Sequence, residues 1–327
     1  MRETAPKSVA DDADLATRAA WLYYEASLTQ AEISAELRVP PAKVQRLIAR
    51  ALRDGLVRIL IEGDLAGCIT LERAIAAQHK LDFCRVVPAL PGSGGLFSAL
   101  GRAAASYLRD AFERRQHKVV SIGHGRTLAA AVEHLPRIER PDLTVVSALG
   151  GVPRRVGANP FDVVHALAEK TGASAWFLPV PFYANDEGDR AVLLRQRGVA
   201  EALRIAGQAS LFVLGIGEVR ESAYLCESGM ILPEEIARVQ KEGAVAEAYG
   251  TFYDREGRKV ATDLHQRVIA VAPEAMRGRE VLVVAGGIEK AGALRAMLKT
   301  GLPTALVTDE ATARCLAAPD GARAAAD

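Results

Sequence analysis

The sequence predicts an α/β protein in two parts, a small helical head followed by a doubly wound, mostly parallel sheet. Three observations lead there. At 327 residues the chain exceeds what one hydrophobic core usually organises, so two domains are expected. The stretch "LTQAEISAELRVPPAKVQRLIARALRDGLVRILI", residues 28–61, strings together a capped helix, a turn, a basic helix and a β-like run. From about residue 83 onward, apolar strands alternate with helical segments, the pattern of a parallel sheet covered by helices on both faces.

Residues 1–13 are Asp-rich and lack an apolar core, so a disordered tail is expected there, without a secretion signal. "DADLATRAAWLYYEA" then reads as a helix turning Leu15, Ala19, Leu22 and Tyr23 inward. Thr29 followed by Glu32 is a capping box, which starts a helix whose Ile33 and Leu37 face the core. "RVP" breaks the pattern. Pro41 suits a first helical position, and the second helix runs to Asp54 before Gly55 stops it. At about 100° per residue, Val44, Leu47, Ile48, Ala51 and Leu52 share one face of this helix, and Lys43, Arg46, Arg50 and Arg53 share the other. "LVRILIE" alternates enough to be a β-wing. Residues 14–62 therefore read as a winged helix-turn-helix.

Charge supports that reading. Lys and Arg number 41 against 40 Asp and Glu, yet between residues 38 and 58 six basic residues face the single Asp54. A basic stripe is also what an ordinary solvated helix face looks like; the capped first helix, the short turn and the single-sign face together favour double-stranded DNA. Lys43, Gln45 and Arg46 are then the candidates for base edges and Arg50 and Arg53 for phosphate, with Thr29 and Gln30 at the start of the preceding helix completing the DNA-facing set.

Beyond residue 63 the composition changes. Residues 70–81 form an amphipathic segment, and 63–82 are expected to be a linker and oligomerisation helix, with an effector domain over 83–320. "KVVSIG", "LTVVSALGG", "ASLFVLGIG", "VLVVAGG" and "PTALVTD" are its strands. In such sheets ligands bind outside the carboxyl ends of the strands. "SIGHGRTL" places Gly123, His124, Gly125, Arg126 and Thr127 at a strand-to-helix turn, where backbone N–H groups suit an anion. It is neither a Walker A loop nor a dinucleotide fingerprint. "VAGGIEKA" repeats the arrangement with Lys290, which is either an anion or sugar contact or a surface lysine; Glu247 in "GAVAEAYG" is either a sugar-hydroxyl acceptor or a salt-bridged carboxylate. Asn159 reads as a helix cap, and Arg154 or Arg155 as a second basic group.

Cys68, Cys84, Cys226 and Cys315 share no metal-ligand or disulfide spacing, so no metal and no cofactor is expected, and a reducing cytoplasm fits. No apolar run approaches about 18 residues, so no membrane partner is expected.

Taken as a set and in order, "WLYYEASLTQAEISAELRVPPAKVQRLIARALRDGLVRILI", "SIGHGRTL", "NPFDVVHALAEKTG", "LFVLGIG", "GAVAEAYGTFYDREGRKV" and "VLVVAGGIEKAGALRAMLKTGLPTALVTDEAT" resemble the SorC family of bacterial sugar-responsive transcriptional regulators, over about residues 15–318. The resemblance implies operator binding by a homo-oligomer, dimer or tetramer, and an effector domain similar to ribose-phosphate isomerases and glucosamine-phosphate deaminases that takes a phosphorylated sugar or a polyol. It places the phosphate loop on Gly123, Gly125, Arg126 and Thr127, the acidic sugar contact on Glu247 and the late lysine on Lys290. Two departures stand out: Pro40 and Pro41 replace the polar cap of the recognition helix, and Ser121 and His124 occupy loop positions that are often glycine and Trp or Ser. The rival reading is a sugar-phosphate isomerase or deaminase with Glu247 and His124 as bases. A third is an assembly platform without ligand.

Overall fold

The computed structural model describes residues 9–57, 65–88, 95–151 and 160–318. The chain divides into two compact units, residues 1–62 and 63–327.

In the first unit α1 (Val9–Tyr24), α2 (Gln30–Leu37) and α3 (Pro41–Arg53) enclose a core that includes Ala19, Leu22, Ile33, Val44, Leu47 and Ile48. The helix α1 begins at Val9, inside the stretch expected to be a tail. The alanines at 13, 16, 19 and 20 are strong helix formers and favour a helix through this stretch. Two side chains expected in the core are outside it. Tyr23 is 37% and Leu52 40% exposed. The small Ala16, Ala19 and Ala20 line the buried side of α1 and leave Tyr23 at its edge against Tyr24, and Leu52 lies one step round α3 from the buried Ala51. The capping box is present: Glu32 N–H donates to Thr29 Oγ1 at 3.3 Å while Glu32 Oε2 accepts from Thr29 N–H at 2.7 Å. Arg38 closes α2 in the left-handed region at φ 53°. Leu56 and Val57 turn back onto the Ala51 carbonyl; the rest of the expected wing lies outside the described residues.

The second unit runs α4 (Leu65–His79), β1 (Phe83–Val87), α5 (Gly95–Glu113), β2 (Val119–Ile122), α6 (Arg126–His134), β3 (Thr144–Ser147), α7 (Pro160–Thr171) and β4 (Ser174–Trp176). It continues through α8 (Glu187–Leu194), α9 (Arg197–Gly207), β5 (Leu211–Leu214), β6 (Gly217–Glu218), α10 (Tyr224–Glu227), α11 (Pro233–Lys241), β7 (Ala246–Ala248) and β8 (Thr251–Tyr253). The chain then adds α12 (Leu264–Arg267), β9 (Glu280–Val284), α13 (Ala291–Lys299), β10 (Ala305–Asp309) and α14 (Glu310–Ala317).

Seven strands form one parallel sheet in the order β1-β10-β9-β5-β2-β3-β4, and β6-β7-β8 form a small antiparallel sheet. The central strands read as unbroken apolar runs because both faces are covered. In β9, Val281 and Val283 enter one core while Leu282 and Val284 enter the other, the period of two that a strand imposes. The helix expected as a linker, α4, is docked on this unit: Cys68 and Ile75 are fully buried in its core, and Glu72 Oε1 accepts from Val86 N–H at 2.9 Å. The amino ends of the strands are pinned by polar side chains. The guanidinium of the buried Arg140 donates to the carbonyls of Phe112 and His117, and the His117 ring sits between Ser210 Oγ (2.9 Å) and Glu280 (3.3 Å). The carboxyl ends of β2, β5 and β9 instead lead into glycines, Gly123, Gly215 and Gly286.

Candidate functional site

The DNA-facing candidates lie on or beside α3, whose exposed side presents Gln45, Arg46 and Arg53. Gln30 is exposed at the start of α2. Not every candidate is available in the same way. Thr29 spends its hydroxyl on the cap of α2, donating to Glu32 Oε2 at 2.7 Å. The guanidinium of Arg50 is held by Asp54 at 3.0 Å, an i,i+4 pair. Arg46 curls back to the Ala42 carbonyl at 3.3 Å, and Lys43 is half-buried. Pro40 precedes the helix as N-cap and supplies no side-chain bond.

The second candidate site lies where the order of the sheet reverses. From β2 the chain proceeds outward through α6 to β3, whereas from β5, the neighbour on the other side of β2, it proceeds through the small sheet to β9. The crevice above such a switch point is where open α/β sheets bind ligands.

Gly123 ends β2 and donates its N–H to the Val213 carbonyl of β5 at 2.9 Å. A Cβ on Gly123 would stand 2.8 Å from Tyr249 Cε1, so the glycine makes room for that ring. The Tyr249 hydroxyl donates to the same Val213 carbonyl, also at 2.9 Å. Gly125 adopts φ 119° as N-cap of α6, with no side-chain cap on the helix. The first N–H groups of α6 therefore stand ready for an anion. Arg126 stacks 4.6 Å over the Phe97 ring, and Thr127 is buried in the first turn.

Glu247 sits on β7, opposite Gly217 of β6. Its Oε1 accepts from Gly250 N–H at 2.6 Å, and a Cβ on Gly217 would come within 2.5 Å of Oε2. Burial pushes this carboxyl up to about 7, with the Gly250 bond and the charge of Lys290 pulling the other way. Lys290 is the N-cap residue of α13 and donates from Nζ to the Ile216 carbonyl at 3.2 Å. Burial lowers its pKa and the nearby Glu218 opposes that, while Arg126 adds repulsion. His124 is neutral, its pKa lowered to about 4 by burial. The structure thus brings the 123–127 loop, Glu247 and Lys290 to one end of the sheet. Arg154, Arg155 and Asn159 lie outside the described residues.

Sequence reasoning missed several participants. Asp309 accepts from Gly287 N–H at 2.7 Å and from Thr312 N–H at 3.1 Å, so one carboxylate holds the glycine turn before Lys290 and caps α14. "TDEAT" carried that signal as an Asp N-cap. Phe182, Tyr183 and Tyr224 reach the site from distant segments, and no local spacing marks them, whereas Tyr249 stands just after Glu247 in the chain. A separate groove of about 690 Å³, lined by Glu218, Arg220, Gln240 and Arg295 among others, includes neither the 123–127 loop nor Glu247 or Lys290.

Among the described residues no helix is long and apolar enough to cross a membrane. The Sugar-bind family model, a sugar-binding domain, matches residues 63–318. The chain is 44% identical over 307 residues to the erythritol catabolism regulatory protein EryD of Brucella abortus, covering 94% of this chain and 97% of that one. It is 31% identical to the transcriptional regulator LsrR of an Enterobacter species, covering 94% of each. Among solved structures, the full-length sorbitol operon regulator SorC of Klebsiella pneumoniae aligns with a TM-score of 0.76 at 21% identity, covering 96% of this chain and all of that one, a likeness of fold. A three-helix head, a doubly wound sheet with its loops gathered at the switch point, and relatives that match nearly end to end lead to one assignment: the chain belongs to the SorC family of sugar-responsive transcriptional regulators.

Proposed function

We propose that the protein binds operator DNA through α3 as a homo-oligomer and that a phosphorylated sugar or polyol, seated at the 123–127 loop, Glu247 and Lys290, controls that binding. The observation that supports it is the meeting of an uncapped helix N-terminus, two cations and a buried carboxylate at the switch point of the sheet. The N-terminus of α6 with Arg126 and Thr127 receives the phosphate, Lys290 adds charge, and Glu247 accepts sugar hydroxyls. Because EryD of Brucella abortus is named for erythritol catabolism, a short polyol or its phosphate ester heads the candidates. The effector acts by binding one arrangement of the protein better than the other, since equal affinity for both would switch nothing. No carboxylate pair or His–Asp relay accompanies the described loops, which favours a binding site over a catalytic one.

The test is a thermal-shift screen of sugar phosphates, alditol phosphates and their free forms against the wild type and Thr127→Ala. An effector at a hundredfold excess over its Kd adds about 2.7 kcal/mol to stability. That gain is expected in the wild type and lost in Thr127→Ala. A gain of equal size in the variant moves the ligand away from the loop, and turnover of the hit by purified protein would restore the enzyme reading.

On the DNA side, Arg46→Ala is expected to weaken operator binding by about 1–3 kcal/mol while barely changing binding to random duplex, as a base contact would. Equal losses on both duplexes would make Arg46 a phosphate contact. Arg53→Ala is expected to lower both affinities and to reduce the salt slope by about one.

A further inference from the structure

Beside the loop stands a wall of aromatic side chains. The His124 ring lies 5.1 Å from that of Tyr224, tilted by 43°, and meets Phe182 edge-on at 6.1 Å. Phe182 in turn packs 4.7 Å from Tyr183. These residues come from the β2–α6 loop, from the segment after β4 and from the start of α10, so only the folded chain assembles them.

Three polar atoms of the wall are cut off from solvent and lack any hydrogen-bond partner among the described residues: His124 Nδ1, the Tyr224 hydroxyl and the Tyr183 hydroxyl. Tyr183 is only 8% exposed. Its hydroxyl lies beside the turn that holds Glu247, because a Cβ on Gly250 would be 3.2 Å from it and Gly250 N–H is the donor to Glu247. Buried polar groups in folded proteins are nearly always bonded, so three orphans around one ligand crevice ask for a partner that the ligand brings. Neutral imidazole offers one donor and one acceptor, and each phenol offers a donor. An alcohol complements both kinds of group, whereas a carboxylate would only accept. The aromatic faces between them suit the C–H faces of a carbon chain.

We infer that His124, Tyr224 and Tyr183 form a hydroxyl-reading wall of the effector site, selecting phosphate esters whose remaining carbons carry free hydroxyls over inorganic phosphate and over phosphate esters of acids. This rests on the effector site proposed above. The loop holds the phosphate and the wall sets the specificity.

Calorimetric titration of the full chain with erythritol 4-phosphate, its monodeoxy analogues and inorganic phosphate tests it, using Tyr224→Phe, Tyr183→Phe and Thr127→Ala. Each phenylalanine variant is expected to bind the alditol phosphate about tenfold more weakly while holding inorganic phosphate as the wild type does. For one deoxy analogue the loss in Tyr224→Phe should vanish, because the hydroxyl it served is gone. Tyrosine-to-phenylalanine changes leave the packing in place, so unliganded melting temperatures should match the wild type. If Thr127→Ala abolishes binding but the phenylalanine variants keep full affinity for the alditol phosphate, the wall is overturned and the loop site stands. If the phenylalanine variants lose phosphate as much as ester, the wall is again overturned, as a support of the loop only. If the wild type binds no phosphate ester, the effector site and the wall fall together.

Discussion

Glu247→Gln is expected to make the effector-free protein more stable at pH 8 and less responsive to its effector. The carboxyl is pushed up to about 7 from an ordinary 4.5, with burial as the largest cause. Because the folded protein holds this proton more tightly than the unfolded chain does, the group's contribution is greatest below pH 4.5 and declines as the pH rises towards 7. The whole span corresponds to about 3 kcal/mol. Glutamine keeps an acceptor for Gly250 N–H and removes the ionisation, so denaturant titration at pH 8 should show a gain of up to about 3 kcal/mol and a flatter profile between pH 5 and 8. The same change removes a charged acceptor from the crevice, and effector affinity should fall by about tenfold or more. A variant with unaltered stability at pH 8 and unaltered affinity would return Glu247 to an ordinary core position.

Gly250→Ala is expected to be the most damaging single change near the site. Gly250 adopts φ 75°, where any side chain is strained, and its Cβ would stand 2.2 Å from Val268 Cγ2 and 3.2 Å from both Phe182 and Tyr183. Left-handed strain and overpacking together cost about 2–4 kcal/mol. Chemical denaturation should show a loss of that size, and effector binding should weaken as well, because the turn carries the donor to Glu247. By contrast Gly172→Ala, with φ 66° but nothing within 4 Å of its Cβ, carries the strain alone and should cost about 1 kcal/mol. Equal losses in the two variants would mean that close packing at Gly250 contributes nothing.

Much of this architecture was legible because its signals are local. The Thr29–Glu32 box spans one helical turn, the inner face of α3 repeats at 3.6 residues, and the central strands are apolar runs bounded by glycine. Gly123 to Thr127 and Lys290 could be placed at strand ends for the same reason. The edge strands β1 and β4 were not marked: β4 is three exposed residues and alternates nothing. The antiparallel insert β6-β7-β8 is built from strands of two or three residues, too short to carry a period. The partners of His124 were hidden because Tyr224 is a hundred residues away in the chain. The ion pair of Arg50 with Asp54, on the other hand, was readable from i,i+4 spacing, and so was the helix cap offered by Asp309.

The carbonyl of Val213 receives both Gly123 N–H and the Tyr249 hydroxyl. The loop proposed to meet the phosphate and the turn that follows Glu247 are therefore fastened to one oxygen atom. Neither can shift far without straining the other's tether, so whatever grips one end of the crevice changes the cost of gripping the opposite end. A molecule that joins phosphate to hydroxyls answers both demands in one event. Inorganic phosphate and free polyol, supplied as separate species, each have to work against an end that the other has left unfilled. On the effector site proposed above, the crevice is expected to act as a two-point gauge that registers the span between chemical groups, responding to a whole molecule more than to the sum of its fragments.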